Sequence, residues 1–215
     1  MLRAMLMSRS LFLLLTVTLG ASALQAQEPP NVYSQLVERL KSGDRTVDFT
    51  KLRMGFTETT AYNGLMMAAY RQLWNPLNAK DFEGALKVAD AVLQRNYAEP
   101  NAHMVASIAH AQLGRQPESQ FHRFIADGLL KSIMSQGDGK TAETAYRVID
   151  VSEEYAVFRS MNLSMRSQGA SAPKDGEPIV DRITVIDNRT REERVMYFAV
   201  ENRLSLAKKR AVKPQ

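Results

Sequence analysis

The sequence predicts an α+β fold, in which a mainly helical body of tetratricopeptide-like helix pairs precedes a small antiparallel β-sheet. Apolar residues recur at helical spacing over much of residues 32–134, whereas short alternating apolar runs follow towards the C-terminus. Residues 81–85 also align with residues 115–119 at an offset of 34, the period of a tetratricopeptide unit. Two units are fewer than a stable stack usually needs, so we expect the flanking elements to cap it.

The first 26 residues have the order of a secretory signal peptide. Two arginines precede an apolar run at residues 11–19, and small residues follow it. Cleavage after Ala23 and cleavage after Ala26 both fit this pattern. The run is short for a membrane span, which needs about 20 residues. We therefore expect residues 1–26 to be removed, leaving a bacterial periplasmic or secreted protein without a transmembrane span.

The rest of the chain divides by composition into three regions. Residues 27–139 form a helical repeat-like region, residues 140–204 a small α/β cap with a β-hairpin, and residues 205–215 a basic tail. Apolar periodicity predicts helices at about 32–41, 49–56, 61–73, 82–95, 101–113 and 117–134. Asp48 is a candidate N-cap, Gly114 a candidate left-handed helix stop, and Gly128 a point of close helix crossing.

The predicted cap combines short strands with one helix. Residues 146–149 resemble a strand, and Ser152 is a candidate N-cap for the short helix that follows. The Gly/Ser/Pro/Lys-rich stretch at 167–176 is typical of a mobile loop. Ile179, Ile183 and Val185 occupy odd positions of a predicted strand that ends at Asp187, and residues 195–200 read as its return strand after a turn at 188–191.

Composition excludes several classes of function. The chain has 215 residues, no cysteine and a net charge of +5. The lack of cysteine excludes a disulfide framework and thiol catalysis. The positive charge is not concentrated on one face, except in the run at 208–210, so a nucleic-acid partner is not expected.

The glycine-rich corner at Gly137–Asp138–Gly139–Lys140 does not fit a phosphate loop. That motif places a glycine five residues before its Gly-Lys pair and follows a strand. Met134 occupies that position, and the preceding residues are helical in pattern. The corner is better explained as a helix stop that holds two charged side chains, Asp138 and Lys140.

The three histidines lie on the predicted fifth and sixth helices. His103, Ser107 and His110 share one face of the fifth helix, a candidate ridge on the concave surface of a helix-pair repeat. His103 and His110 are about 10.5 Å apart along the axis, too far to bind one zinc ion together. Structural hydrogen bonding and a polar ligand-binding ridge both remain open, and neither metal nor cofactor is expected.

Ordered residue blocks along the chain carry a family resemblance. They are residues 46–49, 95–97, 102–103, 121–123, 137–141, 144–146, 148–149, 153–155 and 197–198. The chain resembles bacterial exported proteins of the domain-of-unknown-function family 4919, from about Tyr33 to Val200. The resemblance implies tetratricopeptide-like helices and no assigned activity. It draws attention to His103, His122, Asp138 and Lys140 as one possible polar cluster.

The sequence favours an interaction protein over an enzyme. It holds neither a nucleophile elbow nor the histidine-glutamate motif of zinc proteases. We expect a non-enzymatic interaction or scaffold module of the cell envelope, whose partner is another envelope protein or a peptide. The alternative is a small-ligand-binding protein or a hydrolase-type enzyme that uses the four-residue polar cluster.

Overall fold

The computed structural model describes residues 31–62, 72–171 and 180–201. Within them the chain forms seven α-helices and four β-strands, which confirms the predicted α+β class. The helices are α1 (Val32–Lys41), α2 (Phe49–Phe56), α3 (Asn75–Asn78), α4 (Phe82–Arg95), α5 (Pro100–Gln112), α6 (Gln116–Met134) and α7 (Val151–Ser160). The strands are β1 (Tyr146–Val148), β2 (Leu163–Ser171), β3 (Val180–Asp187) and β4 (Glu193–Val200). No helix in these ranges combines the length and apolarity that a membrane crossing requires.

Several predicted segments lie wholly or partly outside the described residues, among them residues 172–176 of the predicted loop at 167–176. The signal peptide at 1–26 and the basic tail at 205–215 are outside them entirely. Of the predicted helix at 61–73, residues 63–71 are outside them. The single-turn helix α3 that follows has proline in its first turn, which suits that position because the first helical N–H groups lack intrahelical partners.

Helix α5 packs between α4 and α6. The first residues of α4 and α6, Phe82 and Gln116, are 34 positions apart. Asp81 caps α4 by accepting a hydrogen bond from the backbone N–H of Gly84 at 2.9 Å. After α5, Gly114 adopts a φ of 74°, the left-handed conformation predicted for this helix stop. The tetratricopeptide-like relation between these helices stays a prediction.

The sheet is mixed, with strand order β1-β4-β3-β2. Strands β3 and β4 form the predicted antiparallel hairpin, and β2 pairs antiparallel with β3. Strand β1 instead pairs in parallel with β4, from Tyr146 opposite Phe198 to Val148 opposite Val200. The parallel pair forms because a long crossover of α7, β2 and β3 returns the chain to the sheet in the direction of β1. In β3, Ile183 is fully buried between exposed and half-buried neighbours, as its alternation predicts.

Two local predictions in the cap were wrong. Asp150, and not Ser152, caps α7, because its carboxylate accepts from the Ser152 N–H at 2.8 Å, while the Ser152 hydroxyl donates to Glu99. The predicted mobile loop at 167–176 is strand up to Ser171. Residues 163–171 pair with β3 because ladder hydrogen bonds use only the backbone, so polar side chains do not prevent them.

Most buried apolar residues of the described ranges belong to three clusters. One cluster joins α1, α2 and α6, a second joins α4 and α5, and a third packs α6 and α7 on the sheet. Gly128 lies where α6 crosses α2, and a Cβ atom there would overlap the ring of Phe49. This contact confirms that Gly128 is a point of close helix approach.

A buried ion pair joins the helical region to the cap. The side chains of Arg53 on α2 and Glu153 on α7 are each 1% exposed. The guanidinium donates to both carboxylate oxygens, at 2.8 and 2.6 Å, and also to Ser132 Oγ and the Arg147 carbonyl. The carboxylate further accepts from the Ile149 N–H at 2.9 Å. Besides binding each other, the two charged groups are therefore satisfied by hydrogen bonds with Ser132, Arg147 and Ile149.

A second buried carboxylate, Glu99, connects the start of α5 to the start of α7. Its oxygens accept from the Asn101 N–H and side-chain amide, and from Ser152 Oγ at 2.8 Å. Burial raises the pKa of Glu99 to about 7, and the nearby Glu153 carboxylate adds to the effect. Ser152, in the first turn of α7, thus donates hydrogen bonds to two buried carboxylates, Asp150 and Glu99.

Candidate functional site: the histidine groove

The structure brings all three histidines together between α5 and α6. The rings of His103 and His122 have centroids 5.1 Å apart, and His110 stacks on His122 at 5.5 Å with an interplanar angle of 18°. Residues 103 and 110 are two turns apart on α5, so both meet the single histidine that α6 contributes. His103 is fully buried, whereas His110 and His122 are partly exposed.

A chain of hydrogen bonds fixes the tautomers of two of these rings. His103 Nε2 is 2.9 Å from the Tyr97 carbonyl oxygen, which can only accept, so this nitrogen carries the proton. In neutral His103 the Nδ1 atom is then an acceptor. His122 Nδ1 lies 2.9 Å from it and must therefore be the donor. This leaves His122 Nε2 as an unprotonated nitrogen with a free lone pair.

Both rings are held in their neutral form. Burial, and to a smaller extent the neighbouring His122, lowers the pKa of His103 to about 3. Burial also lowers the pKa of His122 to about 4, with a smaller contribution from His110. The hydrogen-bonded pair therefore stays neutral over the physiological pH range.

Two adjoining cavities open beside the histidines and share two residues of α4, Asp90 and Gln94. The larger cavity, about 580 Å³, extends along α4 to His110 on α5. The smaller cavity, about 310 Å³, reaches His122 on α6. We call this continuous depression the histidine groove. Its polar lining comes from Lys41, Glu83, Lys87, Asp90, Gln94, His110, Arg115 and His122.

Most of the predicted ridge on α5 contacts α6 and is not open to solvent. His103 contacts His122, and Ser107 Oγ donates to the Ser119 carbonyl at 2.9 Å. Only His110 reaches a cavity, and its buried Nδ1 has no hydrogen-bond partner within the described residues. The ridge faces α6 because α5 is the middle helix of the three and has neighbours on two sides.

The charged corner lies apart from the histidines. Asp138 and Lys140 line a different cavity, of about 410 Å³, together with Tyr146 and Arg194. The corner follows the end of α6 at Met134, which is twelve residues, or about 18 Å of helix, beyond His122. The structure therefore assembles His103 with His122 and places Asp138 and Lys140 elsewhere.

Hydrogen bonds inside the corner give it a structural role. Asp138 accepts from the Lys140 N–H at 3.0 Å and from Thr144 Oγ1 at 2.6 Å, and the latter bond lowers the pKa of the carboxyl. Gly139 has a φ of 64° and packs against the Tyr146 ring, where a Cβ atom would overlap it. Its carbonyl accepts from the Tyr197 N–H, so the corner attaches the end of α6 to β4.

No group of three or more metal-ligating side chains occurs within the described ranges. In the histidine trio, Nδ1 of His103 and Nδ1 of His122 bond to each other, and the His110 ring stacks parallel to its neighbour. The three rings do not direct their nitrogens to one point, as a tetrahedral zinc site requires. The arrangement is suited to hydrogen bonding with a ligand in the groove.

Sequence reasoning missed the α4 wall of the groove. Asp90 and Gln94 are exposed residues one turn apart on the polar side of α4, a pattern that any solvated helix shares. Tyr97 was also missed, because its contribution is a backbone carbonyl. The one usable signal was the helical spacing that puts Glu83, Lys87, Asp90 and Gln94 on one face.

Comparison with known proteins agrees with the resemblance found in the sequence. The family described as Domain of unknown function (DUF4919) matches residues 22–209. No curated protein and no solved structure gives a significant match. Since the match spans most of the 215 residues, the chain belongs to this domain-of-unknown-function family.

Proposed function

We propose that the protein is an exported, non-enzymatic interaction module of the cell envelope that binds a segment of another protein in the histidine groove. The signal-peptide pattern at residues 1–26 supports export. The helix starts 34 residues apart support a repeat of the type that binds peptides along a grooved face.

The observation that carries the proposal is the continuity of the groove. Asp90 and Gln94 line both cavities, so an extended segment can run from the Arg115 end to the His122 end without leaving the surface. The groove is lined by four helices and the joint at Tyr97, and its histidine wall is fixed by hydrogen bonds. A rigid wall reduces the entropy lost on binding.

The alternative, a small-ligand-binding protein or hydrolase-type enzyme with a His/Asp/Lys cluster, has less support from the geometry. It required His103, His122, Asp138 and Lys140 to share one cleft. Lys140 and Asp138 border a separate cavity and pair with each other at 3.6 Å.

Selection from a displayed library of random dodecapeptides tests the proposal. The purified protein is compared with Gln94→Trp, which places a large side chain where the two cavities meet. The matched control is Gln120→Trp, since Gln120 is also an exposed helical glutamine but does not line the groove. We expect peptides that bind the wild type and the control but not Gln94→Trp. Peptides that bind all three proteins equally would contradict the proposal.

A further inference from the structure

We propose that the histidine groove selects a segment carrying a basic side chain, lysine or arginine, with Asp90 as its counterion and His122 Nε2 as a hydrogen-bond acceptor. This inference rests on the proposed function and adds the chemical class of the bound group. It follows from two independent features of the smaller cavity, one of hydrogen bonding and one of charge.

The first feature is the direction of the hydrogen-bond relay. The Tyr97 carbonyl requires the proton on His103 Nε2, and His103 Nδ1 in turn requires the proton on His122 Nδ1. His122 Nε2 can then only accept. Within the described residues this nitrogen has no hydrogen-bond partner and is not among the buried polar atoms, so it is accessible from the cavity that His122 lines.

The second feature is the charge of Asp90. It lines both cavities, is exposed, and forms no ion pair with any described residue. Lys41, the cation of the smaller cavity, pairs with Glu38 at 3.0 Å and lies 5.4 Å from the centre of the Tyr97 ring. Among the described residues, a carboxylate without an ion-pair partner and a nitrogen that only accepts therefore line the same cavity.

The other charges of the groove lie towards its opposite end. Arg115 pairs with Glu83 at 2.5 Å, and Lys87 lines the larger cavity but not the smaller one. An acidic group at the His122 end would meet the Asp90 charge and a nitrogen that cannot donate. An apolar group would displace water from the Asp90 carboxylate and from His122 Nε2 without replacing the hydrogen bonds that the water makes. An ammonium or guanidinium group can donate charge-assisted hydrogen bonds to the Asp90 carboxylate and to His122 Nε2.

The test uses synthetic versions of the groove-dependent peptides from the selection. In each peptide every lysine is replaced by norleucine and every arginine by citrulline, one at a time, and binding to the purified protein is measured by fluorescence polarisation at pH 7.5. We expect one such replacement per peptide to weaken binding about tenfold or more. Asp90→Asn and His122→Phe should weaken the parent peptide similarly, whereas the exposed α6 variant Asp127→Asn should not.

The outcomes separate this inference from the function on which it rests. Peptides that need an open groove, but whose affinity is unchanged by neutralising any basic residue, overturn the inference and leave the proposed function intact. Recovery of no groove-dependent peptide overturns both. Asp90→Asn changes an exposed surface residue and is expected to fold, so the test does not depend on the stability of the His122 variant.

Discussion

The buried carboxyl of Glu99 predicts a contribution to the stability of the folded protein that is lost as the pH rises. Burial raises its pKa in the folded protein to about 7, from a reference value of 4.5. Below pH 4.5 both folded and unfolded chains bind the proton, and this stabilisation is complete. Between pH 4.5 and 7 only the folded chain keeps the proton, so the stabilisation declines as the pH rises. Above pH 7 both are ionised and the stabilisation is lost, which costs about 3 kcal/mol because one pKa unit corresponds to about 1.4 kcal/mol.

Glu99→Gln isolates this effect, because glutamine does not titrate. The free energy of unfolding is measured by urea denaturation at several pH values from 5 to 8. We expect the variant to gain about 2.5 kcal/mol relative to wild type over that range, whatever their difference at pH 5. The control is Glu118→Gln, an exposed carboxylate on α6, for which the difference from wild type should vary by less than about 0.5 kcal/mol.

The comparison with wild type also cancels the opposing effect of the histidines. The pKa of His103 is lowered in the folded protein, so its contribution to stability is present above pH 6.5 and is lost as the pH falls towards 3. Both proteins contain His103, and its contribution drops out of the difference. A difference between Glu99→Gln and wild type that stays constant from pH 5 to 8 would refute the assignment of Glu99 as a buried acid protonated near neutrality.

Three further predictions concern the ion pair, the helix crossing and the tautomers. Arg53→Met leaves a buried carboxylate without its partner and should lower the free energy of unfolding in urea by about 3–5 kcal/mol, whereas Arg123→Met, in an exposed pair, should change it by less than about 1 kcal/mol. Gly128→Ala should cost about 1–3 kcal/mol in the same assay, because the added methyl group overlaps an aromatic ring across the α2–α6 contact; no loss would show that the ring moves aside. Long-range ¹H–¹⁵N spectra of histidine-labelled protein at pH 7.5 should show the proton of His103 on Nε2 and that of His122 on Nδ1, and the reverse assignment would contradict the relay.

The elements of the fold were predictable because their signals are local. A helix or strand repeats its apolar positions every few residues, and a cap depends on side chains within one turn. Asp48 caps α2 by accepting from the Lys51 N–H at 3.0 Å, as its position before an apolar helical stretch predicts. Gly114 has the left-handed φ expected at a helix stop.

The contacts between elements were not predictable in the same way. Arg53 and Glu153 are 100 residues apart, and each looks like an ordinary surface charge on an amphipathic helix. Nothing in the three residues of β1 specifies that they pair in parallel with β4. Long-range pairing of this kind depends on the packed structure as a whole, which local periodicity does not encode.

The candidate site was predictable only in part. Helical spacing placed His103 and His110 on one face of α5. His122 meets the α5 histidines because it lies in the first half of α6, whereas Asp138 is separated from them because it follows the end of α6 at Met134. The groove itself requires α4, whose exposed polar residues carry no distinguishing pattern.

The 100-residue separation of the buried ion pair also affects how the chain folds during synthesis. During synthesis the N-terminal part emerges first, and α2 then carries an arginine whose buried partner has not yet been made. Strand β1 likewise cannot pair with β4 until the chain has been synthesised as far as Val200. A nascent chain that stops short of these residues would hold an uncompensated charge and an open strand edge. The native contacts of α2 and β1 therefore form only after Glu153 and strand β4 have been synthesised.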